Sequence, residues 1–453
     1  MKSRLLPILL ILFIAAVLVQ QNRRALRKWW RSVNPTTIEE IRASESPAEN
    51  AAGPIAEDLE WPQWRGPERN NHARPPFPPL PFSFEKHKLW QAKIPGRGHA
   101  SPVIDTDQVY ILSGEEEGET IKLLAFACED GATRWTQPLS VGGFEKRHAK
   151  NTHASATPAC DGEAIYCVYL QRGALRVTQV KRNGELGWQS EAGPYASYHG
   201  YGGSPILWKS LVIVGGDSLS RGFIAALDRG SGKLVWRTAR EEAPSHCTPA
   251  LVRCQGRDVV VLTGQQSVTA YDPQTGDKLW QTPGSAEETA NTAAFNDTLV
   301  FATAGYPQTS IQALRGDTGE EVWQRDLNLY VPSPLVFNDR LLVTQDNGVA
   351  RLLIAETGKD RWTKRLGGDI TASPVLCGDT VLLPNESGRM FFFRAADKFE
   401  ARGEVDFGAP IFATPAVAGG RLFVRTDETT DKTGARVAGK LYCIGAKSGE
   451  SSP

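Results

Sequence analysis

The stretch DPQTGDKLW, residues 272–280, places a glycine four positions before a tryptophan, and close copies of it recur along the chain. This spacing is found at Gly131/Trp135, Gly184/Trp188, Gly232/Trp236, Gly276/Trp280, Gly319/Trp323 and Gly358/Trp362. The tryptophans follow one another at steps of 39 to 53 residues. A period of about 40–50 residues that contains four short apolar runs is typical of the blades of a β-propeller.

A second mark, Ser-Pro or Thr-Pro before an apolar strand, precedes seven of the units, at residues 101–102, 157–158, 204–205, 248–249, 333–334, 373–374 and 414–415. The stretch NTAAFNDTLVFA, residues 291–302, keeps the strand in the eighth place but lacks the proline. Together the two marks predict an all-β protein, an eight-bladed β-propeller of four-stranded blades.

The last unit stops early, because its turn AKSGE, residues 446–450, is not followed by an outer strand or a tryptophan. The stretch KLWQAKI, residues 88–94, supplies a strand with Trp90 and no unit of its own. We expect this N-terminal strand to complete the last blade and close the ring, which removes open sheet edges. A linear solenoid is the alternative, but it gives Trp90 no role.

The repeated tryptophans are expected to bury their rings against neighbouring blades, since a large aromatic side chain on an outer strand can reach the next sheet. The glycine before each of them suits a tight turn with a positive φ. The predicted docking residues are Trp90, Trp135, Trp188, Trp236, Trp280, Trp323 and Trp362.

The N-terminus has the composition of a membrane-targeting segment. The run LLPILLILFIAAVLV, residues 5–19, predicts a hydrophobic helix, and residues 1–21 a signal anchor or signal peptide. Residues 22–60 are predicted to be a basic juxtamembrane segment and flexible linker, and residues 61–87 a lead segment packed on the propeller of residues 88–450. The basic stretch RRALRKWWR after the run favours a cytoplasmic C-terminal side by the positive-inside rule, which leaves the orientation open.

The charge distribution argues against nucleic-acid binding. The 453 residues have no formal net charge, but the first 31 carry seven basic residues and no acid, so the remainder is acidic by seven charges. Nucleic-acid binding requires a basic surface. The seven cysteines are scattered and none are adjacent, which is typical of small buried residues. Disulfides between Cys160 and Cys167 or between Cys247 and Cys254 are the alternative.

The repeats resemble the PQQ-like propeller repeat, whose consensus is roughly A-L-D-x-x-T-G-x-x-x-W. Residues 226–236 and 270–280 match it best, WPQWRGP at 61–67 resembles the segment that precedes such propellers, and the resemblance covers about residues 61–450. The family includes the quinoprotein alcohol dehydrogenases and the non-catalytic propeller BamB. The resemblance therefore implies the fold and favours export, but it does not choose between catalysis and scaffolding.

The enzyme interpretation depends on a quinone and a metal. Quinoprotein dehydrogenases, as a family, stack the quinone between a tryptophan and a vicinal disulfide, and hold calcium with carboxylates and an amide. This chain has no adjacent cysteines. Asp346 with Asn347, and Asn385 with Glu386, could supply oxygen ligands, but both pairs lie where turns are predicted. We therefore expect no cofactor, no catalytic residue and no metal ligand, with PQQ and calcium as the alternative.

Four histidines precede the inner strands of consecutive blades, namely His99, His153, His199 and His246. Equivalent positions in neighbouring blades converge at one mouth of the central channel. Imidazoles there could bind a ligand or a metal, transfer a proton, or simply hydrogen-bond the next blade. The candidate ligand-binding set is His99, His148, His153, His199, His246, Asn151 and Tyr198.

The sequence thus favours an exported, membrane-tethered and non-enzymatic propeller. It would be anchored in the inner membrane, face the periplasm, and bind a protein, peptide or glycan of the cell envelope. A quinoprotein-type oxidoreductase is the first alternative. A binder of a small ligand or metal at the histidine-lined mouth is the second.

Overall fold

The computed structural model describes residues 38–42, 53–284, 286–430, 433 and 436–447. The apolar run at 5–19, with its predicted helix and anchor, lies outside these residues. Residues 39–453 form one compact unit. Its one described helix, α1 (Phe84–His87), leads directly into the first strand, β1 (Lys88–Lys93). No described helix is long and apolar enough to cross a membrane.

Eight four-stranded antiparallel sheets confirm the eight-bladed propeller. Blade 1 comprises β2 (Val103–Ile104), β3 (Gln108–Glu115), β4 (Thr120–Ala127) and β5 (Thr133–Val141); blade 2, β6 (Ala159–Cys160), β7 (Ala164–Gln171), β8 (Ala174–Lys181) and β9 (Leu186–Pro194); blade 3, β10 (Ile206–Trp208), β11 (Leu211–Gly215), β12 (Gly222–Asp228) and β13 (Leu234–Arg240); and blade 4, β14 (Ala250–Cys254), β15 (Arg257–Gly264), β16 (Ser267–Tyr271) and β17 (Lys278–Pro283).

The second half repeats this order. Blade 5 comprises β18 (Ala294–Phe295), β19 (Leu299–Ala304), β20 (Ser310–Arg315) and β21 (Glu321–Arg325); blade 6, β22 (Leu335–Phe337), β23 (Arg340–Thr344), β24 (Val349–Ile354) and β25 (Asp360–Arg365); and blade 7, β26 (Val375–Cys377), β27 (Thr380–Pro384), β28 (Arg389–Arg394) and β29 (Ala401–Asp406). Blade 8 comprises β30 (Ala416–Ala418), β31 (Arg421–Arg425), β34 (Lys440–Gly445) and β1, and a hairpin of β32 (Thr429–Thr430) and β33 (Arg436–Val437) lies between β31 and β34.

Each repeat tryptophan packs on the turn of the following blade, not on the glycine of its own repeat. A Cβ atom added to Gly319 of blade 5 would come within 2.5 Å of the ring of Trp280 in blade 4. Close approach of the ring therefore requires glycine, which also adopts the positive φ of this turn, 73°. The same overlap joins Trp90 to Gly131, Trp135 to Gly184, Trp188 to Gly232, Trp236 to Gly276 and Trp323 to Gly358.

The indole N–H groups make the same connection between blades. The indole of Trp90 in β1 donates to the carbonyl of Cys128 in blade 1, at 2.9 Å. The other acceptors are the carbonyls of Arg182, Arg229, Pro273, Gly316, Ala355 and Ala396, for Trp135, Trp188, Trp236, Trp280, Trp323 and Trp362 in that order. Each tryptophan thus packs its ring on the next blade and satisfies its one donor; three rings are buried (Trp90, Trp236, Trp280) and the other four are half-buried.

Blade 7 has no tryptophan in its outer strand, and the lead segment supplies aromatic rings there instead. Phe82 packs edge-on against Phe392 of blade 7, with ring centroids 5.6 Å apart. Phe84 contacts Phe407 at 4.9 Å and Tyr442 of blade 8 at 5.7 Å. The degenerate seventh repeat is therefore packed by residues that precede the propeller.

Six hydrogen bonds connect Ser/Thr marks of successive blades around the channel. The backbone N–H of Ser373 in blade 7 donates to the hydroxyl of Thr414 in blade 8, at 2.9 Å. Five further links join Ser101 to Thr157, Thr157 to Ser204, Ser204 to Thr248, Thr292 to Ser333 and Ser333 to Ser373. We call this set the hydroxyl ring. Thr292 takes part through its backbone N–H although no proline follows it, while its own hydroxyl accepts the indole N–H of Trp64.

The lead segment crosses the end of the channel at which the inner strands finish. The backbone N–H of Trp61 donates to Ile104 in blade 1, and the Asn71 side chain donates to the Pro374 carbonyl in blade 7. Between them, Arg65 donates to the Pro334 carbonyl of blade 6 at 2.8 Å and is fully buried. These donors satisfy carbonyls on the open inner edges of the sheets.

Part of the segment that the sequence places in the linker also contacts the propeller. Ile41 pairs with Arg237 on the outer strand of blade 3, through N–H to carbonyl bonds of 3.0 and 2.8 Å. Ala56 donates to the Asp161 carbonyl of blade 2. All seven cysteines are free and six of them are buried, so neither alternative disulfide is present.

Candidate functional site

The candidate residues lie at the opposite end of the channel from the lead segment. The four histidines precede the hydroxyl ring along the chain, whereas the lead segment contacts the inner strands that follow it. We call this end, formed by the segments that enter the inner strands, the histidine mouth. The set predicted from the sequence divides there into one cluster of three imidazoles and two separate histidines.

His148, His199 and His246 come together. The ring of His199 lies 5.6 Å from that of His148 and 5.7 Å from that of His246, measured between centroids. The Asn151 side chain donates to the His199 carbonyl at 2.7 Å, and the backbone N–H of His148 donates to the same oxygen at 3.3 Å. Residues of blades 2, 3 and 4 therefore form one imidazole cluster.

His246 is the most enclosed member of this cluster. Both of its ring nitrogens are buried, and neither has a hydrogen-bond partner among the described residues. Burial, together with the neighbouring His199, lowers the pKa of His246 to about 4. The ring is consequently neutral at physiological pH and carries one unused donor and one unused acceptor.

His99 and His153 are held apart from the cluster. His99 stacks on Phe412 with centroids 4.3 Å apart, and its Nε2 atom lies 3.5 Å from a carboxylate oxygen of Asp427. His153 stacks on Phe144 at 3.8 Å. Burial lowers the pKa of both imidazoles, so each contributes mainly a neutral, packed ring.

Asp427 keeps its charge beside His99. Burial opposes that charge, but the neighbouring His99 and the hydrogen bond from Arg97 outweigh the effect and hold the pKa of Asp427 below its usual range. The Arg97 guanidinium lies 2.7 Å from the carboxylate. This pair joins the entry to blade 1 to the loop that follows β31 in blade 8.

The two tyrosines beside His199 differ in role. Tyr198 is 60% exposed and presents its ring to solvent. Tyr201 is buried, and its hydroxyl donates to the Gly215 carbonyl at 3.0 Å. Tyr198 is therefore free to contact a partner, whereas Tyr201 packs blade 3.

Carboxylates line the other half of the mouth. Glu288 precedes blade 5, and one of its oxygens lies 3.8 Å from Nδ1 of His199. Asp369 precedes blade 7, and Glu386 lies between β27 and β28 of the same blade. The sequence reasoning missed Glu288 and Asp369. Both stand four residues before a mark of the hydroxyl ring, as His153 does, so alignment of the repeats on that mark would have found them.

A cover loop, residues 142–151, bridges the mouth. Its Lys150 ammonium lies 3.1 Å from Glu386 and 3.5 Å from Asp369, on blade 7. Arg147 is bound to Glu116 of blade 1 at 2.6 Å, while His148 and Asn151 contact blade 3. The loop thus connects blades on different sides of the channel axis.

The proposed oxygen ligands have other structural roles. The Asp346 carboxylate accepts the backbone N–H groups of Tyr330 and Val331, at 3.0 and 3.1 Å. The Asn385 side-chain oxygen accepts from Ser387 and Arg389 and stabilises its own turn. Asn347 is exposed in a turn. Among the described residues, no group of three or more His, Cys, Asp or Glu side chains is arranged to hold a metal ion.

Comparison with known proteins gives consistent matches. The model of a family described as "Outer membrane protein assembly factor BamB" matches residues 85–260, 201–309 and 307–398. The protein of that name from Burkholderia pseudomallei (strain K96243) is 24% identical over 373 residues, which cover 78% of this chain and 90% of the relative.

Two solved structures share the fold. BamB from Moraxella catarrhalis aligns with a TM-score of 0.58 at 14% identity, over 81% of this chain and 99% of its own. A europium-containing methanol dehydrogenase aligns with a TM-score of 0.62 at 12% identity, over 85% of this chain and 98% of its own. Because a non-catalytic and a catalytic propeller align about equally well, the likeness shows only the architecture.

Proposed function

The chain belongs to the BamB family of PQQ-like β-propellers, and we propose that it is a non-enzymatic scaffold that binds a protein of the cell envelope. This proposal rests on the way in which both ends of the central channel are covered. The lead segment crosses one end and the cover loop bridges the other, while Tyr198 and Tyr306, 60% and 52% exposed, lie on the rim. Exposed aromatic rings are frequent anchors of protein interfaces.

The rim tyrosines are close to the imidazole cluster. The backbone of Tyr306 pairs with that of Glu288 through two N–H to carbonyl bonds of 3.0 Å. Glu288 in turn faces His199, which directly follows Tyr198. The histidine mouth and its rim therefore form one continuous surface for docking.

The residues present do not fit a calcium-bound quinone at this mouth. Asp346 and Asn385 use their oxygens to hold backbone N–H groups, and Lys150 lies across the approach to Glu386. The repeat tryptophans, which could stack on a planar ring, are committed to contacts between blades. We therefore derive no redox step from this site.

We further propose that the propeller is exported and stays tethered to a membrane through residues 1–21. The support is the apolar run at 5–19 and the similarity to outer membrane protein assembly factors. Protease added to intact spheroplasts should degrade the propeller of the full chain. Protection of the propeller until the membrane is lysed would contradict export.

The scaffold proposal is tested by crosslinking in cells. A photoreactive phenylalanine placed at Tyr198 or at Tyr306 of the full chain should give a crosslinked product with one envelope protein, identified by mass spectrometry. The matched control is Val322 on the outer strand of blade 5, which is also exposed. No product at either tyrosine, or the same product at all three positions, would contradict the proposal.

The enzyme alternative has its own measurement. Calorimetric titration of the full chain in detergent with pyrroloquinoline quinone, with and without calcium, should give no saturable heat. Saturable binding that requires calcium would overturn the scaffold proposal and call for a screen of alcohol and sugar substrates.

A further inference from the structure

The acidic half of the histidine mouth holds one well-fixed charge. The Glu386 side chain is only 17% exposed, and it accepts a hydrogen bond from the Thr371 hydroxyl at 2.5 Å. Asp369 stands beside it and is 63% exposed. Two carboxylates of blade 7 therefore face the cover loop, and the nearer one is oriented by its own blade.

The cation that meets these carboxylates comes from the cover loop. Burial opposes the charge of Lys150, but its bonds with Glu386 and Asp369 outweigh this effect and raise its pKa. The Lys150 side chain is nevertheless 59% exposed. An ion pair with this much exposure to solvent is weak, so a competing cation can displace it.

The same mouth also contains a buried imidazole whose ring nitrogens have no hydrogen-bond partner among the described residues. The backbone N–H of His246 donates to the carbonyl of Thr289, which follows Glu288 in the chain. Both ring nitrogens of His246 are buried and have no hydrogen-bond partner among the described residues. A buried polar group without a hydrogen bond is costly. A ligand that brings a donor into the mouth would satisfy the neutral imidazole.

Aromatic rings complete the surface. Tyr198 and Tyr306 stand at the rim with their rings exposed, one beside His199 and the other beside Glu288. Lysine and arginine side chains are attracted to the faces of such rings. Carboxylates and tyrosine faces together complement a positively charged peptide.

We propose that the histidine mouth binds a basic segment of a partner protein, and that Lys150 occupies the place of a partner lysine or arginine until that segment arrives. On binding, the partner's cation pairs with Glu386 and Asp369, and the cover loop is displaced. The loop is thus an internal competitor that sets the affinity. This inference rests on the proposed scaffold function, because it specifies the chemistry of the bound protein.

The test is the anisotropy of fluorescent hexalysine titrated with the full chain in neutral detergent, with hexaglutamate as the opposite-charge probe. Hexalysine should bind and hexaglutamate should not. Lys150→Gln should tighten binding of hexalysine about 3-fold, since it removes the competitor. The double variant Glu386→Gln/Asp369→Asn should weaken it about 10-fold.

Matched variants of the same blades separate this site from general electrostatics. Glu400→Gln/Glu404→Gln changes two exposed carboxylates on the outer side of blade 7, and Lys398→Gln changes an exposed lysine there. Both should leave the affinity unchanged. Equal effects of the matched and mouth variants would overturn the inference, as would tighter binding of hexaglutamate, absence of hexalysine binding, or weaker binding by Lys150→Gln. Thermal melts verify that each variant is folded.

The two proposals can fail separately. Crosslinks at Tyr198 and Tyr306, without hexalysine binding that depends on Glu386 and Asp369, would support the scaffold proposal and contradict the basic partner. Hexalysine binding that depends on these two carboxylates, without any crosslink in cells, would support a cation-binding mouth and contradict the scaffold proposal.

Discussion

Single side chains at the histidine mouth have roles that their common position in the repeats does not reveal. His246 is neutral with both ring nitrogens buried, His99 and His153 are stacked on phenylalanines, and His199 is 37% exposed. The same residue type before the inner strand therefore serves packing in two blades and leaves reactive nitrogens in others. Burial, rather than spacing, determines which imidazole is open to a ligand.

His246 should make the protein less stable in acid. Its pKa in the fold, about 4, lies below the value of about 6.5 in the unfolded chain, so the unfolded state takes up the proton first as the pH falls. Stability is then lost between about pH 6.5 and about pH 4, by about 3 kcal/mol in total. Urea unfolding of native protein and His246→Leu at both ends of this window measures the difference.

The variant should lose less stability than the native protein over that interval. Parallel losses in the native protein and in His246→Leu would show that His246 does not titrate as a buried group.

Trp236 is expected to be one of the most costly residues to truncate. It is fully buried against the turn of blade 4, and its indole donates to the Pro273 carbonyl. Trp236→Ala should lower the free energy of unfolding by about 3–5 kcal/mol, because it leaves a cavity between two blades. Leu186→Ala, on an exposed side chain, should change it by less than about 0.5 kcal/mol. Comparable values in denaturant titration would refute blade docking by Trp236.

At the scale of the structural element, the hydroxyl ring joins neighbouring inner strands that no sheet connects. Each link places a backbone N–H of one blade on a side chain of the next, so the blades are connected close to the axis as well as at the outer tryptophans. Serine or threonine is therefore needed at the six marks whose hydroxyl accepts such a bond, whereas the hydroxyls of Ser101 and Thr292 accept none of these six bonds.

Ser373→Ala should destabilise the protein by about 1–3 kcal/mol, because the buried N–H of Ser333 loses its acceptor. Ser373→Thr should be close to neutral, since threonine fills the same place in blades 2, 4 and 8. Ser101 is a matched control, because its buried hydroxyl has no partner among the described residues. Chemical denaturation in which Ser101→Ala costs as much as Ser373→Ala would exclude a special role for the ring.

For the whole molecule, the pairing of β1 with β34 joins the two ends of the propeller. Trp90 lies opposite Cys443 in this pair and packs on Gly131 of blade 1. We expect this strand to act as a latch that holds the ring closed, so that its loss lowers the stability of every blade. A latch of this kind makes unfolding cooperative across all repeats.

Trp90→Ala should lower stability by about 3–5 kcal/mol and reduce amide protection in all eight blades together. Hydrogen exchange followed by mass spectrometry resolves the blades through their peptides. Trp323→Ala, at an internal interface, is the comparison for a tryptophan outside the latch. Loss of protection confined to blades 8 and 1 in Trp90→Ala would contradict the latch.

Much of the propeller could be predicted because its signals are local. Turn glycines, alternating apolar strands and the Ser/Thr marks lie within a few residues of one another, so the repeat period indicates eight blades directly. The sequence also indicated that histidines of successive blades converge. The prediction that each tryptophan packs on the neighbouring blade is confirmed, and the structure adds that the contact is with the turn glycine of that blade.

The sequence by itself determined the number of blades, the strands and the position of four histidines just before inner strands. Only the tertiary structure decided that three imidazoles cluster while two stack on phenylalanine, and that Lys150 meets Glu386, which is 236 residues away along the chain. The physical reason is that a repeat period specifies the fold of each blade, whereas contacts across the channel depend on the path of one non-repeating loop and on the burial that this path creates.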